Sequence, residues 1–123
     1  MRLGLGAALI AFAIASLVHF THNAEYLRDY PNMPSGWMRG HVYLAWLGMT
    51  ALGLAGWLLF VRGWRRTGLA LLLVYAVLGL DSLGHYVLAP MSAHTVAMNA
   101  TILAEVAAAA VVLLEVVRRA LRR

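Results

Sequence analysis

Cysteine and lysine are both missing from this 123-residue chain, and charged residues make up only 12% of it. Without cysteine there is no disulfide, thiolate metal site, iron–sulfur cluster or cysteine nucleophile. No serine-nucleophile elbow, phosphate loop, zincin helix or dinucleotide fingerprint occurs either. The scarcity of charge accompanies 63% hydrophobic residues and a mean hydropathy of +0.76, far outside the range of soluble domains. A net charge of +5 with a pI near 10.5 would suit a nucleic-acid binder, but all ten basic residues are arginines and most flank apolar runs. That pattern marks membrane topology, and no nucleic acid is expected as a partner.

What is present in quantity is apolar length. One crossing of about 30 Å of hydrocarbon needs roughly 20 residues, so four crossings use nearly the whole chain and leave no room for a soluble domain. The apolar runs predict spans over about 3–22, 41–61, 68–88 and 94–117. Between the first two lies a polar stretch, 23–40, whose Pro31, Pro34 and Gly36 end any helix and whose Tyr26, Tyr30 and Trp37 suit a membrane interface. The run after Met1-Arg2 resembles a signal peptide, but it is too long and lacks a small-x-small cleavage site, so it is read as the first span. Small residues on spans one and four permit close helix association, and a homo-oligomer or a place in a larger membrane complex is expected.

The arginines orient the spans. Arg2, the Arg62/Arg65/Arg66 turn and the four C-terminal arginines fall on one side, against only Arg28 and Arg39 on the other. By the positive-inside rule the expectation is an all-α, up-down-up-down four-helix bundle in the inner membrane with both termini cytoplasmic.

With that topology the five histidines all fall in the outer half: His19 and His22 end span one, His41 opens span two, His85 lies late in span three and His94 opens span four. Carboxylates join them. Asp81 and His85 are i and i+4, on one face if the helix is continuous, with Asp81 about 10 Å below the outer end. His19, His22 and Glu25 share a face of span one. Intramembrane ionisable groups are costly and pair with one another, bind ions or relay protons. The candidate metal ligands are therefore Asp81, His85, His94, His19, His22, Glu25 and His41. Imidazole and carboxylate without thiolate suit copper, zinc or non-haem iron, and Met33, Met38, Met91 and Met98 in the same half tilt the choice to copper. A haem b between two facing histidines, as in a quinol-reactive subunit, is the alternative cofactor. Others are a non-catalytic subunit or metal carrier, metal-free acid–base chemistry on a lipid, and a hydrogen-bonded cap between helix ends.

Residues 81–94, Asp81-Ser82-Leu83-Gly84-His85-Tyr86-Val87-Leu88-Ala89-Pro90-Met91-Ser92-Ala93-His94, carry an Asp-x-x-x-His, a proline-containing turn and a second histidine. The segment resembles the copper-binding segment in the C subunit of the copper membrane monooxygenases, which oxidise methane or ammonia. The spacing to the second histidine is shorter here, and the likeness covers about fourteen residues. It implies Asp81, His85 and His94 as copper ligands and a copper-dependent oxidoreductase, or a component of one, acting on a small or lipidic substrate.

Glu105 is set apart. His94, Met98, Thr101 and Glu105 repeat at i, i+4, i+7 and i+11 on one face, which puts Glu105 about 16 Å below His94, near mid-bilayer. With Asp81 it is the candidate acid–base residue. The competing expectation is a buried acid bonded to Ser16, Thr50 or Tyr75. Asn99 lies off that face and is expected to bond a neighbouring helix. Glu115 is expected to pair with Arg118 and Arg119.

Overall fold

The computed structural model describes residues 4–122. Arg2, Arg123 and the predicted start of the first span at residue 3 lie outside them. Four helical segments are long and apolar enough to cross a membrane: Leu5–Glu25, Arg39–Val61, Arg65–Leu88 and Val96–Leu121. The chain is a multi-pass membrane protein, all-helical among the described residues. We name its α-helices α1 (Leu5–Glu25), α2 (Arg39–Val61), α3 (Arg65–Leu80), α4 (His85–Leu88) and α5 (Val96–Leu121). The long helices close a ring in which α1 packs on α2 and α5, and α3 packs on α2 and α5.

Apolar residues point both ways. Phe12, Leu72, Tyr75, Ala76, Ala109 and Val112 are buried at the centre, while Ile10, Ile14, Leu44, Leu54 and Leu114 stand more than half exposed, as a lipid-facing surface requires. Phe12 stacks obliquely on Tyr75 with ring centroids 4.5 Å apart, and Gly79 makes the room it occupies. Gly68 lets α3 meet α2 backbone to backbone: a Cβ there would stand 2.5 Å from Phe60 N and 2.8 Å from Gly56 O.

The helices differ from the sequence expectation mainly at their ends. α1 runs three residues beyond His22, to Glu25. The third span is not one continuous helix: Asp81–Gly84 form a 3₁₀ turn between α3 and α4. Asp and Ser favour turns over helix interiors, and Gly79 and Gly84 weaken the helix on either side. The turn corrects a predicted pairing. A 3₁₀ segment advances about 120° per residue, so His85 is rotated about 120° from Asp81 instead of the roughly 40° of an α-helix. His94 does not open α5: it is extended (φ −95°, ψ 148°) and precedes Thr95, whose Oγ1 accepts from the N–H of Met98 as the helix cap.

Candidate functional site

The C-terminal end of α1, the turn after α3 and the start of α5 meet, and the loop 26–38 folds back over them. At their junction Tyr30 is buried, 3% exposed, among four imidazoles. Its ring centroid lies 5.0 Å from that of His85, 5.8 Å from His22, 6.4 Å from His19 and 6.5 Å from His94. His19 and His85 stand edge to face at 5.3 Å, and His85 and His94 at 6.2 Å. The polar loop thus contributes the hub of the cluster. Sequence reasoning assigned Tyr30 to the membrane interface; its proximity to His22 and the helix-ending Pro31 was the only signal that the chain doubles back there. Burial pushes the Tyr30 hydroxyl up to about 12 from its ordinary 10.0.

The hydrogen bonds fix which ring nitrogens are free. Thr101 has one hydroxyl hydrogen and donates it to Met98 O at 3.0 Å, so it accepts at 3.2 Å from His19 Nδ1–H. His19 Nε2 is then the bare nitrogen in the neutral ring. It faces Glu105 Oε2 at 3.7 Å, and that oxygen accepts from Ser82 Oγ at 2.5 Å. His19 Nε2 and Glu105 Oε2 are thus two acceptors beyond hydrogen-bond distance, 2% and 0% exposed, a pair that a proton on either group relieves. His94 Nδ1–H donates to Pro90 O at 3.0 Å, which leaves Nε2 as the lone-pair nitrogen. His85 Nε2 meets the Asn23 amide at 3.0 Å. Sealed from solvent and without a partner are His85 Nδ1, His94 Nε2, Asn23 Oδ1 and Glu105 Oε1.

The structure gathers His19, His22, His85, His94 and Glu105, sets Glu25 and His41 apart from them, and leaves Asp81 at the edge of the cluster. Glu25 is exposed and ties α1 to α2, accepting from Tyr43 Oη at 2.7 Å and Arg39 at 3.4 Å. His41 is exposed and caps α2, its Nδ1 accepting from the N–H of Met38. Asp81 makes no hydrogen bond or ion pair among the described residues. It lines a cavity of about 490 Å³ with His19, Asn23, Ser82 and His85. Glu105 takes Ser82 and His19 as partners; Ser16, one of its expected partners, instead accepts from Trp46 Nε1 and donates to Ala13 O. Asn99 accepts from Tyr86 Oη on α4 at 2.8 Å.

Among the described residues, no three His, Asp or Glu side chains bring their donor atoms around a single point. Two of the unpartnered atoms are imidazole nitrogens, on His85 and His94; the Asn23 amide nitrogen donates to His85 Nε2, which places that ring's proton on Nδ1. No protein-family model matches the sequence, and neither a curated protein nor a solved structure is detectably similar to it.

Proposed function

We propose that the chain is a metalloprotein of the inner membrane that holds a transition-metal ion on His85 Nδ1 and His94 Nε2, at the periplasmic end of an up-down-up-down bundle whose termini are cytoplasmic. The observation that carries this reading is the pair of sealed imidazole nitrogens without a partner. Buried polar atoms are nearly always hydrogen-bonded, and two neighbouring ring nitrogens left unpartnered suit a shared cation. Metal–nitrogen bonds of about 2.0–2.1 Å set two imidazoles on one ion with ring centroids about 5–6 Å apart, depending on the angle at the metal. His85 and His94 stand at 6.2 Å.

The surrounding bonds support the same assignment. Pro90 O holds the His94 proton on Nδ1, which aims the Nε2 lone pair at the site. An ion on His85 Nδ1 leaves that ring's proton on Nε2, and a half-turn of the Asn23 amide presents Oδ1 to it. One rotation then supplies a partner both for His85 and for an amide oxygen that otherwise has none. His19 is the next donor, 5.3 Å from His85 by ring centroid. Its Nε2 is contested between the ion and the proton that relieves its contact with Glu105.

Imidazole without thiolate suits copper, zinc or non-haem iron. The resemblance of residues 81–94 to the copper segment of the copper membrane monooxygenase C subunits favours copper for His85 and His94, and an oxidoreductase or a component of one as the class. A bound copper would supply one-electron redox chemistry. The chain's own part is to seal the ion under Tyr30 and the 26–38 loop and to hold a proton beside it on Glu105 or His19. At 123 residues the bundle is expected to work as an oligomer or as a subunit of a larger membrane complex.

Elemental analysis of the detergent-purified full chain is expected to find a transition metal that is retained in His41→Ala and lost in the His85→Ala/His94→Ala double variant. Absence of bound or bindable metal, or metal unchanged in the double variant, overturns the reading.

A further inference from the structure

An ion on His85 and His94 leaves the 490 Å³ cavity beside it without a purpose. Val42, Leu78, Leu88 and Trp37 give its lining an apolar part, and Asp81 and Ser82 stand among its polar groups. Its walls continue onto lipid-facing surface: Leu78 and Val87 are 41% and 87% exposed. Asp81 is the anomaly. It lies about 10 Å below the outer end of its span, where a carboxylate ordinarily pairs, binds an ion or relays a proton. It does none of these with another side chain among the described residues. Asp81 is exposed and lines the cavity, so its two acceptor oxygens are open to a donor that arrives from the bilayer.

We infer that this cavity seats a neutral apolar molecule carrying a hydroxyl, an alcohol or phenol drawn from the membrane, whose O–H donates to Asp81. An ammonium head would satisfy the carboxylate too, but His85 lines the same cavity. A metal cation on that ring repels a second positive charge, so the choice of a neutral head rests on the metal reading. A hydroxyl brings the donor without the charge, its oxygen can accept from Ser82, and Trp37 offers an aromatic surface to a phenol ring. The cavity places this head beside the imidazole that carries the ion, the position a substrate of that ion would take.

The test titrates the full chain in detergent with para-octylphenol, its methyl ether and octylamine, reading bound ligand by native mass spectrometry and metal content on the same samples. The ether keeps the shape and loses the donor. A hydrogen bond to a charged acceptor is expected to make the phenol bind about tenfold tighter than the ether, and Asp81→Asn to reduce that ratio to about threefold or less. Gly84→Leu fills the cavity from a helical backbone position where an added Cβ meets no atom within 4 Å. It is expected to weaken the phenol by about tenfold or more, one methylene-rich side chain displacing the ligand's own volume. Ala45→Phe, from α2, repeats the block without touching the turn that carries His85. Equal binding of phenol and ether, a preference for octylamine, or unchanged phenol binding in both filled variants overturns the inference. Phenol selectivity intact in a chain that binds no metal overturns the metal reading and leaves the cavity assignment standing.

Discussion

The two ends of this bundle treat their polar groups in opposite ways. At the arginine end, Glu115 pairs with Arg118 and Arg119 on its own helix, and Arg65 donates to the carbonyl oxygens of Arg119 and Arg122. Those contacts are largely exposed, and a group there that loses its partner turns to water or lipid headgroups. At the histidine end the polar groups are inside: His19 and Glu105 are almost fully buried, and four side-chain atoms of the cluster have no partner. A fold gains nothing from sealing unpartnered imidazole nitrogens away from water, because an unmade buried hydrogen bond costs about 1–3 kcal/mol. One end satisfies its polar groups among themselves, and the other keeps four buried atoms without a partner. Between them the helices meet chiefly through close apolar packing, with Ser16 hydrogen-bonded inside it.

The close helix-to-helix packing gives the largest expected effect, at the α2–α3 contact one turn in from the arginine end. Gly68→Leu forces a side chain into the α2 backbone at Phe60 and Gly56, where no side-chain rotation can relieve it. Loss of the folded bundle is expected, and even Gly68→Ala costs about 1–3 kcal/mol or more by overpacking. Gly84→Ala at the histidine end meets nothing within 4 Å and is expected to stay within about 0.5 kcal/mol of the parent. Denaturant unfolding in mixed micelles measures both; equal effects would mean that the two regions are packed alike, and the contrast drawn here would fail.

Next in size is the buried pair of His19 and Glu105. Glu105→Leu leaves the Ser82 hydroxyl and His19 Nε2 buried without their acceptor and proton partner, and is expected to destabilise by about 1–3 kcal/mol. Glu105→Gln keeps an acceptor for Ser82 and is expected to cost about 1 kcal/mol or less. If Leu is tolerated as well as Gln, Glu105 is not part of the buried network, and the histidine end is less distinct from the arginine end than its geometry implies.

Much of this was legible in the sequence. Hydropathy and the uninterrupted apolar runs show four membrane-crossing helices, since a backbone in hydrocarbon must satisfy itself internally. The convergence of His19, His22, His85 and His94 follows from their placement at helix ends that share one side. The rotation of Asp81 away from the face of His85 does not: it depends on a four-residue 3₁₀ turn, and periodicity arguments assume a continuous helix on both sides of Asp81. Tyr30 was hidden for another reason. In a membrane protein a loop tyrosine beside a proline reads as an interfacial anchor, and only the path of the loop places it beneath His22. His41 and Glu25 are polar residues spent on local structure, a helix cap and a helix-to-helix tie, which position alone does not separate from ligands.

Tyr30 offers a smaller and more selective handle. Its hydroxyl is hydrogen-bonded to His22 Nδ1 at 2.8 Å, and Tyr30→Phe is expected to cost about 0.5–1.5 kcal/mol. Burial raises its ionisation from 10.0 to about 12, so below pH 10 both folded and unfolded chains hold the proton. Between those values the unfolded chain gives it up and the folded chain does not, so the stability it confers is lost as pH rises across that window. Unfolding followed against pH should show this loss in the parent and lack the Tyr30 part of it in Tyr30→Phe. An unchanged profile would place the Tyr30 hydroxyl in water and open the cluster that the comparison treats as sealed.

The smallest effect is expected at the arginine end. Arg118 is 60% exposed and lies 3.3 Å from Glu115, which keeps Arg119 as a second partner. An exposed ion pair one helical turn apart contributes about 0.3–0.5 kcal/mol, and a carboxylate with two cations loses less than that when one is removed. Arg118→Ala is therefore expected to change unfolding in detergent by less than about 0.5 kcal/mol, with no effect on metal content. In the proposed orientation the guanidinium's value lies elsewhere, in the excess of positive charge gathered at this end. Replacing Arg62, Arg65, Arg66, Arg118 and Arg119 together should weaken or invert insertion, as read by a reporter fused to the C-terminus, while leaving the histidine end chemically intact. A fall in metal content from Arg118→Ala alone would mean that the two ends are coupled through α5, and that the arginine end is not independent of the histidine end.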